Sequence, residues 1–241
     1  MPVFDFNVIK HDIEACLNTG NEKLIDGIIF RKAKRFPSGI PSYIRAFEEI
    51  GFALFLADKA FGTEQINENT WKELVKPANH DQKILANYVV IKDQLIKNMD
   101  GGFKKIQDSA IGNSFKVNLT RTQAIEQVNA RLAIYSKLDA LRKKFDHSHE
   151  LTGQITNREY NEKDLEAVCH LLEAECYISY YRTKLGLESY QINLTNDSDD
   201  VKLSKIISLP STKKLKELSQ EFGNSGLELR QRGLKFLKTL K

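Results

Sequence analysis

Two adjacent carboxylates, Glu48 and Glu49, lie within the most apolar stretch of the chain, residues 42–57. An α-helix over this stretch is apolar nearly all round, which is typical of the central helix of a bundle. Because a buried carboxylate without a partner is costly, we expect the pair to meet cations, to bind a metal ion or to line a cavity. The alternative is that one glutamate faces solvent while the other pairs with a lysine or an arginine.

His80 and Lys83 form a second candidate pair, because a spacing of three residues puts both on one face of a helix. Lys83 has the charge to neutralise a glutamate, and the imidazole of His80 exchanges protons near neutral pH. The alternative is that both are ordinary surface residues of a helix.

Arg142 and His147 lie at the end of the longest periodic stretch, residues 120–145, in an R-x4-H spacing. This pair suits metal-independent cleavage of RNA, since the imidazole can act as acid or base on the 2′-hydroxyl. The guanidinium can hold the phosphate through bidentate hydrogen bonds. Arg142 and Asp146, four residues apart, can also pair with each other. The alternative is a basic helix end, where cations complement the helix dipole.

The charge of the chain is uneven, because residues 201–241 have a balance of +7 within a total of +4. A basic amphipathic helix near the end is predicted from leucines that alternate with cations. Such a helix can bind RNA, the translation machinery or another protein partner, or it can simply pack on the bundle. The candidate binding residues are Arg230, Arg232, Lys235 and Lys238.

Apolar residues recur at spacings of three and four along most of the chain, so we predict an all-α fold. The predicted helices cover residues 5–17, 22–35, 41–61, 80–98, 120–145, 162–185, 211–221 and 225–240. We expect a helical bundle over residues 1–188. A polar linker at 190–200 and a short basic helical C-terminal extension then complete residues 189–241.

Several function classes are disfavoured by composition. No apolar run approaches the roughly 20 residues of a membrane span, and the N-terminus lacks the pattern of a signal peptide, so we expect a cytoplasmic protein that does not bind a membrane. The three cysteines include no CxxC pair, which disfavours a zinc finger. A metal site built from Glu48, Glu49 and His80 is an alternative, but carboxylate-metal bundles usually use Glu-x-x-His motifs. We therefore expect neither a metal nor another cofactor.

In its motifs the chain resembles the AbiV-type abortive infection proteins of bacteria, which carry E-E-x-G-K, then H-x-x-K, then an L-Y-V-D-like segment. The matching positions are Glu48, Glu49 and Gly51, followed by His80 and Lys83, with residues 144–146 a looser match and Trp71 before His80. The resemblance covers roughly residues 20–185, and Phe52 stands where the family has lysine. It implies a phage-defence protein that arrests growth or phage protein synthesis.

The family is often grouped with the HEPN superfamily of helical nucleases, many of which cut RNA with an R-x4–6-H motif. The resemblance therefore implies a HEPN-like bundle and, because HEPN-type sites are commonly completed across a dimer, a homodimer. In a nuclease His147 would be the acid and base and Arg142 the phosphate ligand, while the glutamates and Lys83 orient the site. The alternative is a non-catalytic helical module that binds RNA, the ribosome or a phage-encoded protein.

Overall fold

The computed structural model describes residues 5–62, 66–76, 83, 137–146, 160–224 and 227–240. All regular secondary structure in these residues is α-helical, which confirms the predicted all-α fold. The helices are α1 (Phe6–Lys32), α2 (Phe36–Phe61), α3 (Glu68–Leu74), α4 (Leu138–Asp146), α5 (Glu162–Asn193), α6 (Asp199–Ser208), α7 (Pro210–Asn224) and α8 (Leu227–Thr239). The prediction at 80–98, except Lys83, and residues 120–136 of the next predicted helix lie outside the described residues.

Helix α1 is continuous, so the predicted break near Thr19 and Gly20 is wrong. Gly20 is buried against α2, and a Cβ atom there would lie 2.5 Å from Cγ1 of Ile50 and 3.1 Å from its backbone nitrogen. The glycine therefore permits two helix backbones to approach closely and does not end the helix. The helix begins after Asp5, whose carboxylate accepts hydrogen bonds from two backbone N–H groups.

Helix α2 begins at Phe36, five residues before the predicted start, so the break predicted at Pro37 is also wrong. Proline is tolerated in the first turn because its missing N–H has no partner there in any helix. The turn from α1 is made instead by Lys34, which has a positive φ of 56°. As predicted, α2 is central: it is buried on almost every side and packs against α1, α4 and α5.

The C-terminal helices belong to the same packed body. The boundary predicted between residues 188 and 189 falls inside α5, and the predicted linker at 190–200 is wrong in part, because α5 ends at Asn193 and α6 begins at Asp199. Helix α8 crosses α5 closely, since a Cβ at Gly233 would lie 2.6 Å from the carbonyl oxygen of Ala167. Leu237 of α8 is fully buried in the main core.

Helix α3 was not predicted. Asn67 caps its first turn by accepting a hydrogen bond of 2.9 Å from the backbone N–H of Thr70. Trp71 is buried and donates its indole N–H to Asp12 of α1 at 2.8 Å. Across the described ranges, none of the helices has both the length and the apolar character that a bilayer span requires.

Candidate functional site

The two glutamates of α2 meet different cations. Glu48 is 1% exposed, and its Oε1 lies 3.8 Å from Nε of Arg142 on α4. Glu49 is half-buried, and its Oε1 accepts a hydrogen bond of 2.6 Å from Nζ of Lys83. Of the three arrangements expected for the pair, the first is found, because both carboxylates meet cations. The alternative of one glutamate in solvent is wrong.

Arg142 is surrounded by three carboxylates. Besides the ion pair with Glu48, its Nη2 donates to Asp139 at 2.7 Å and its Nη1 donates to Asp146 at 3.0 Å. The contact with Asp146 confirms the pair predicted from their i,i+4 spacing. All three nitrogens of the guanidinium therefore face negative charge, and the arginine holds α4 against α2.

Two further cations complete this cluster, which we call the α2–α4 ion network. Arg45 of α2 donates to Asp146 at 2.9 Å, and Lys143 approaches Asp139 to 2.5 Å. Among the described residues, the network joins three carboxylates and three cations: Glu48, Asp139, Asp146, Arg45, Arg142 and Lys143.

The network stabilises the charged forms of its members. Burial acts against the charged form of Asp139, but hydrogen bonds from Lys143 and Arg142 outweigh it and hold the pKa of this carboxyl below its usual value. Burial likewise acts to lower the pKa of Arg142, but the hydrogen bond to Asp139 and the charge of Glu48 outweigh burial and raise this pKa above its usual value. Both groups are therefore ionised throughout the physiological pH range.

The surroundings of Glu49 are less polar. The ammonium of Lys83 lies 5.6 Å from the ring centroid of Phe52, a cation–π contact. The cation beside Glu49 therefore comes from a segment that is distant in the sequence. Burial and the charge of Glu49 raise the pKa of the nearby Cys16 to about 11. Cys16 is therefore a neutral thiol and an unsuitable nucleophile at neutral pH.

The remaining predicted catalytic residues, His80 and His147, lie outside the described residues. His147 follows directly in the sequence on Asp146, the last residue of α4. Within the described part of the chain, no group of three or more His, Cys, Asp or Glu side chains has the arrangement to hold a metal ion.

The four basic residues predicted for binding on α8 lie in two different environments. Arg230 donates to Glu175 at 3.0 Å, and Arg232 donates to Asp164 at 2.6 Å, so both attach α8 to α5. The side chains of Lys235 and Lys238 are exposed. A basic helix that packs on the bundle therefore also presents cations to solvent.

Sequence reasoning did not predict one buried polar cluster that joins α1, α2 and α5. Arg31 makes a bidentate contact with Glu173, at 2.8 Å and 3.2 Å, and Tyr43 donates its hydroxyl to the same carboxylate at 2.6 Å. Burial and the contact with Glu173 raise the pKa of Tyr43 far above its usual value, so the phenol is neutral. The cluster therefore links the three helices through charge-assisted hydrogen bonds.

Sequence reasoning also missed Asp139, although its i,i+3 spacing from Arg142 indicates that the two side chains can pair.

Candidate residues from three distant stretches thus meet on one turn of α2: Lys83 beside Glu49, and Arg142 beside Glu48. In comparisons with known proteins, the chain matches no protein-family model, no curated protein and no solved structure. Its function is therefore inferred from these residues, from their geometry and from the motifs they carry.

Proposed function

We propose that the protein is an abortive-infection protein of the AbiV type that acts in the cytoplasm and arrests growth or phage protein synthesis by cleaving RNA without a metal ion. One observation carries the proposal. The described motif residues, which are separated by up to about 90 positions in the sequence, lie together on α2 as two ion pairs, Glu48 with Arg142 and Glu49 with Lys83.

In this proposal His147 is the acid and base. Its imidazole takes the proton of a ribose 2′-hydroxyl, whose oxygen attacks the adjacent phosphorus. As the bond from phosphorus to the 5′-oxygen breaks, the imidazolium gives the proton to that oxygen, and the products are a 2′,3′-cyclic phosphate and a 5′-hydroxyl. Arg142 acts as a positioning residue, because a phosphate would have to displace Asp139 or Asp146 from its guanidinium. Its role is to fix the end of α4, from which His147 continues.

The proposal includes a homodimer, since HEPN-type sites are commonly completed across two copies. Glu49 and Lys83 then orient the site from α2. Analytical ultracentrifugation of the full chain tests this part: a dimer at micromolar concentration is expected, and a monomer at all concentrations contradicts it.

The decisive experiment is incubation of purified protein with total RNA, with and without EDTA. Two variants are compared with the wild type: His147→Ala, and the matched control His149→Ala, which removes a histidine two residues further on. We expect cleavage that resists EDTA in the wild type and the control, and none in His147→Ala protein. Cleavage by a folded His147→Ala protein, or cleavage abolished by EDTA, contradicts the proposed chemistry.

The second candidate is a non-catalytic helical module that binds RNA, the ribosome or a phage-encoded protein. It is favoured by the α2–α4 ion network, in which the guanidinium of Arg142 already has three carboxylate neighbours. Phage challenge of cells that express each protein separates the two candidates. A catalytic protein loses protection with His147→Ala and keeps it with His149→Ala, whereas a binding module protects equally with both variants.

A further inference from the structure

A groove runs between α4, the start of α5 and α8, on the side of α4 away from the α2–α4 ion network. It consists of two adjoining cavities of about 520 and 550 Å³ that share Asp164, Phe236 and Thr239. Lys144 and Lys235 stand at its sides, and Tyr160 and Phe236 form its aromatic floor. We call it the α4–α8 groove.

The floor of the groove presents partly accessible aromatic rings. The rings of Tyr160 and Phe236 meet edge to face, with centroids 5.5 Å apart, and Tyr160 also contacts the buried ring of Phe145 at 5.9 Å. Both Tyr160 and Phe236 are half-buried, so each is fixed from below while part of it faces the groove. Rings held in this way are suitable platforms for flat ligands such as nucleobases.

Cations line the groove together with the acidic side chains of Asp164 and Glu228. The ammonium of Lys144 lies 4.8 Å from the ring centroid of Tyr160 and 2.5 Å from its hydroxyl oxygen, and the side chain of Lys235 is exposed. Lys137 donates to the backbone carbonyls of Lys238 and Leu240, where it offsets the negative end of the α8 dipole. The acidic Asp164 is engaged by Arg232.

We propose that the α4–α8 groove binds single-stranded RNA, with bases on Tyr160 and Phe236 and phosphates beside Lys144 and Lys235. This inference rests on the proposed function, since it assigns the place where the substrate of the same protein is held. Proteins usually bind single-stranded nucleic acids through aromatic side chains that stack on the bases and cations that contact the phosphate backbone. A duplex keeps its bases stacked inside, where these rings do not reach them.

The position of the groove connects it with the proposed site. Lys137, Ala140, Leu141 and Lys144 line the groove, whereas Asp139, Arg142 and Asp146 of the same segment form the ion network. Residues three and four apart share a helix face, so these are two opposite faces of α4. RNA in the groove lies along the helix that leads to His147, while the network on the other face holds that helix in place.

Binding is measured by the fluorescence anisotropy of a labelled oligouridylate with full-length protein in the His147→Ala background, so that the oligonucleotide stays intact. The double variant Lys144→Glu with Lys235→Glu is compared with Lys32→Glu and Lys213→Glu, which reverses two exposed lysines elsewhere and changes the net charge equally. We expect the groove variant to weaken binding at least about tenfold and to flatten its salt dependence, and the control to weaken it less than about threefold.

A matched pair of variants at Tyr160 tests whether the aromatic ring contributes to RNA binding. Tyr160→Leu removes the ring and is expected to weaken binding by about fivefold or more, whereas Tyr160→Phe keeps the ring and is expected to bind within about twofold of the parent protein. Circular dichroism melts of every variant establish that it is folded at the temperature of the titration.

Equal losses in the groove variant and its charge control overturn the inference, as does equal binding of Tyr160→Leu and Tyr160→Phe. The proposed function fails separately. If RNA binding depends on the groove but no RNA is cleaved, the groove proposal stands and the proposed chemistry is refuted. If RNA cleavage depends on His147 but the groove variants bind normally, the proposed chemistry stands and the groove proposal is refuted.

Discussion

The two faces of α4 carry similar charged side chains in different surroundings. On the face toward α2, Arg142 is buried and lies among three carboxylates. On the opposite face, Lys144 is exposed and donates to the hydroxyl of Tyr160 at 2.5 Å. Burial decides what each charge does. An enclosed cation must be neutralised and therefore fixes geometry, whereas an exposed cation stays in contact with solvent.

The largest expected effect comes from removing the central cation of the network. Arg142→Met leaves Glu48, Asp139 and Asp146 without their shared partner, and the free energy of unfolding is expected to fall by about 3–5 kcal/mol. Urea denaturation followed by circular dichroism measures the change. Arg45→Met is the control, because Arg45 is 45% exposed and contributes about 1 kcal/mol or less. If both variants lose the same small amount, Arg142 does not hold α4 in place.

The α4–α8 groove depends on the packing of α8 against α5, and substitutions at two glycines test this packing. Gly233→Ala puts a methyl group 2.6 Å from the carbonyl oxygen of Ala167, and we expect a loss of about 1–3 kcal/mol. Gly186→Ala on α5 meets nothing within 4 Å and is expected to stabilise the protein by about 0.5–1 kcal/mol. Thermal unfolding compares them, and a neutral Gly233→Ala variant would refute the close crossing of α8 over α5.

The network also predicts a dependence of stability on pH. The pKa of Asp139 is lower in the folded protein than in the unfolded chain, where it is about 3.9. Its contribution is therefore fully present above that value and is lost as the pH falls through the folded pKa. We expect the stability difference between wild type and Asp139→Asn to be constant from pH 7 to about 5 and to shrink below about 4. A difference that does not change with pH contradicts the pairing.

The smallest effect on stability is expected at the second glutamate. Glu49→Gln loses one ion pair with Lys83 at a partly exposed position, so the free energy of unfolding should change by about 1 kcal/mol or less. Protection against phage should nevertheless be lost if the pair orients the site, as is common where function and stability compete. Loss of stability together with loss of protection would make the pair a structural clasp instead.

Local patterns predicted the fold class, the central position of α2 and the pair formed by Arg142 and Asp146, because these depend on residues within one or two helical turns. The same patterns misjudged Gly20 and Pro37, since a glycine at a helix crossing and a proline in a first turn look like helix breakers in sequence. Local patterns do not predict contacts between distant segments. An example is the ion pair of Arg31 and Glu173, which are 142 residues apart in the sequence.

The groove was beyond sequence reasoning for the same reason. Tyr160 falls between the helices predicted at 120–145 and 162–185, and Phe236 lies 76 residues further on. Only the packing of α8 against α5 brings the two rings together with Lys144. The basic character of the tail was visible in the sequence, but its division into cations that attach α8 and cations that face solvent was not.

We propose that the buried Arg142 holds α4 in place while the opposite face of α4 holds RNA. One measurement tests it directly: the affinity of Arg142→Lys protein for labelled oligouridylate over a series of salt concentrations, beside the Lys144→Glu and Lys235→Glu double variant. We predict that Arg142→Lys binds within about twofold of its parent while the groove variant binds at least about tenfold more weakly. If folded Arg142→Lys protein loses as much affinity as the groove variant, Arg142 is itself a phosphate ligand and the claim is wrong.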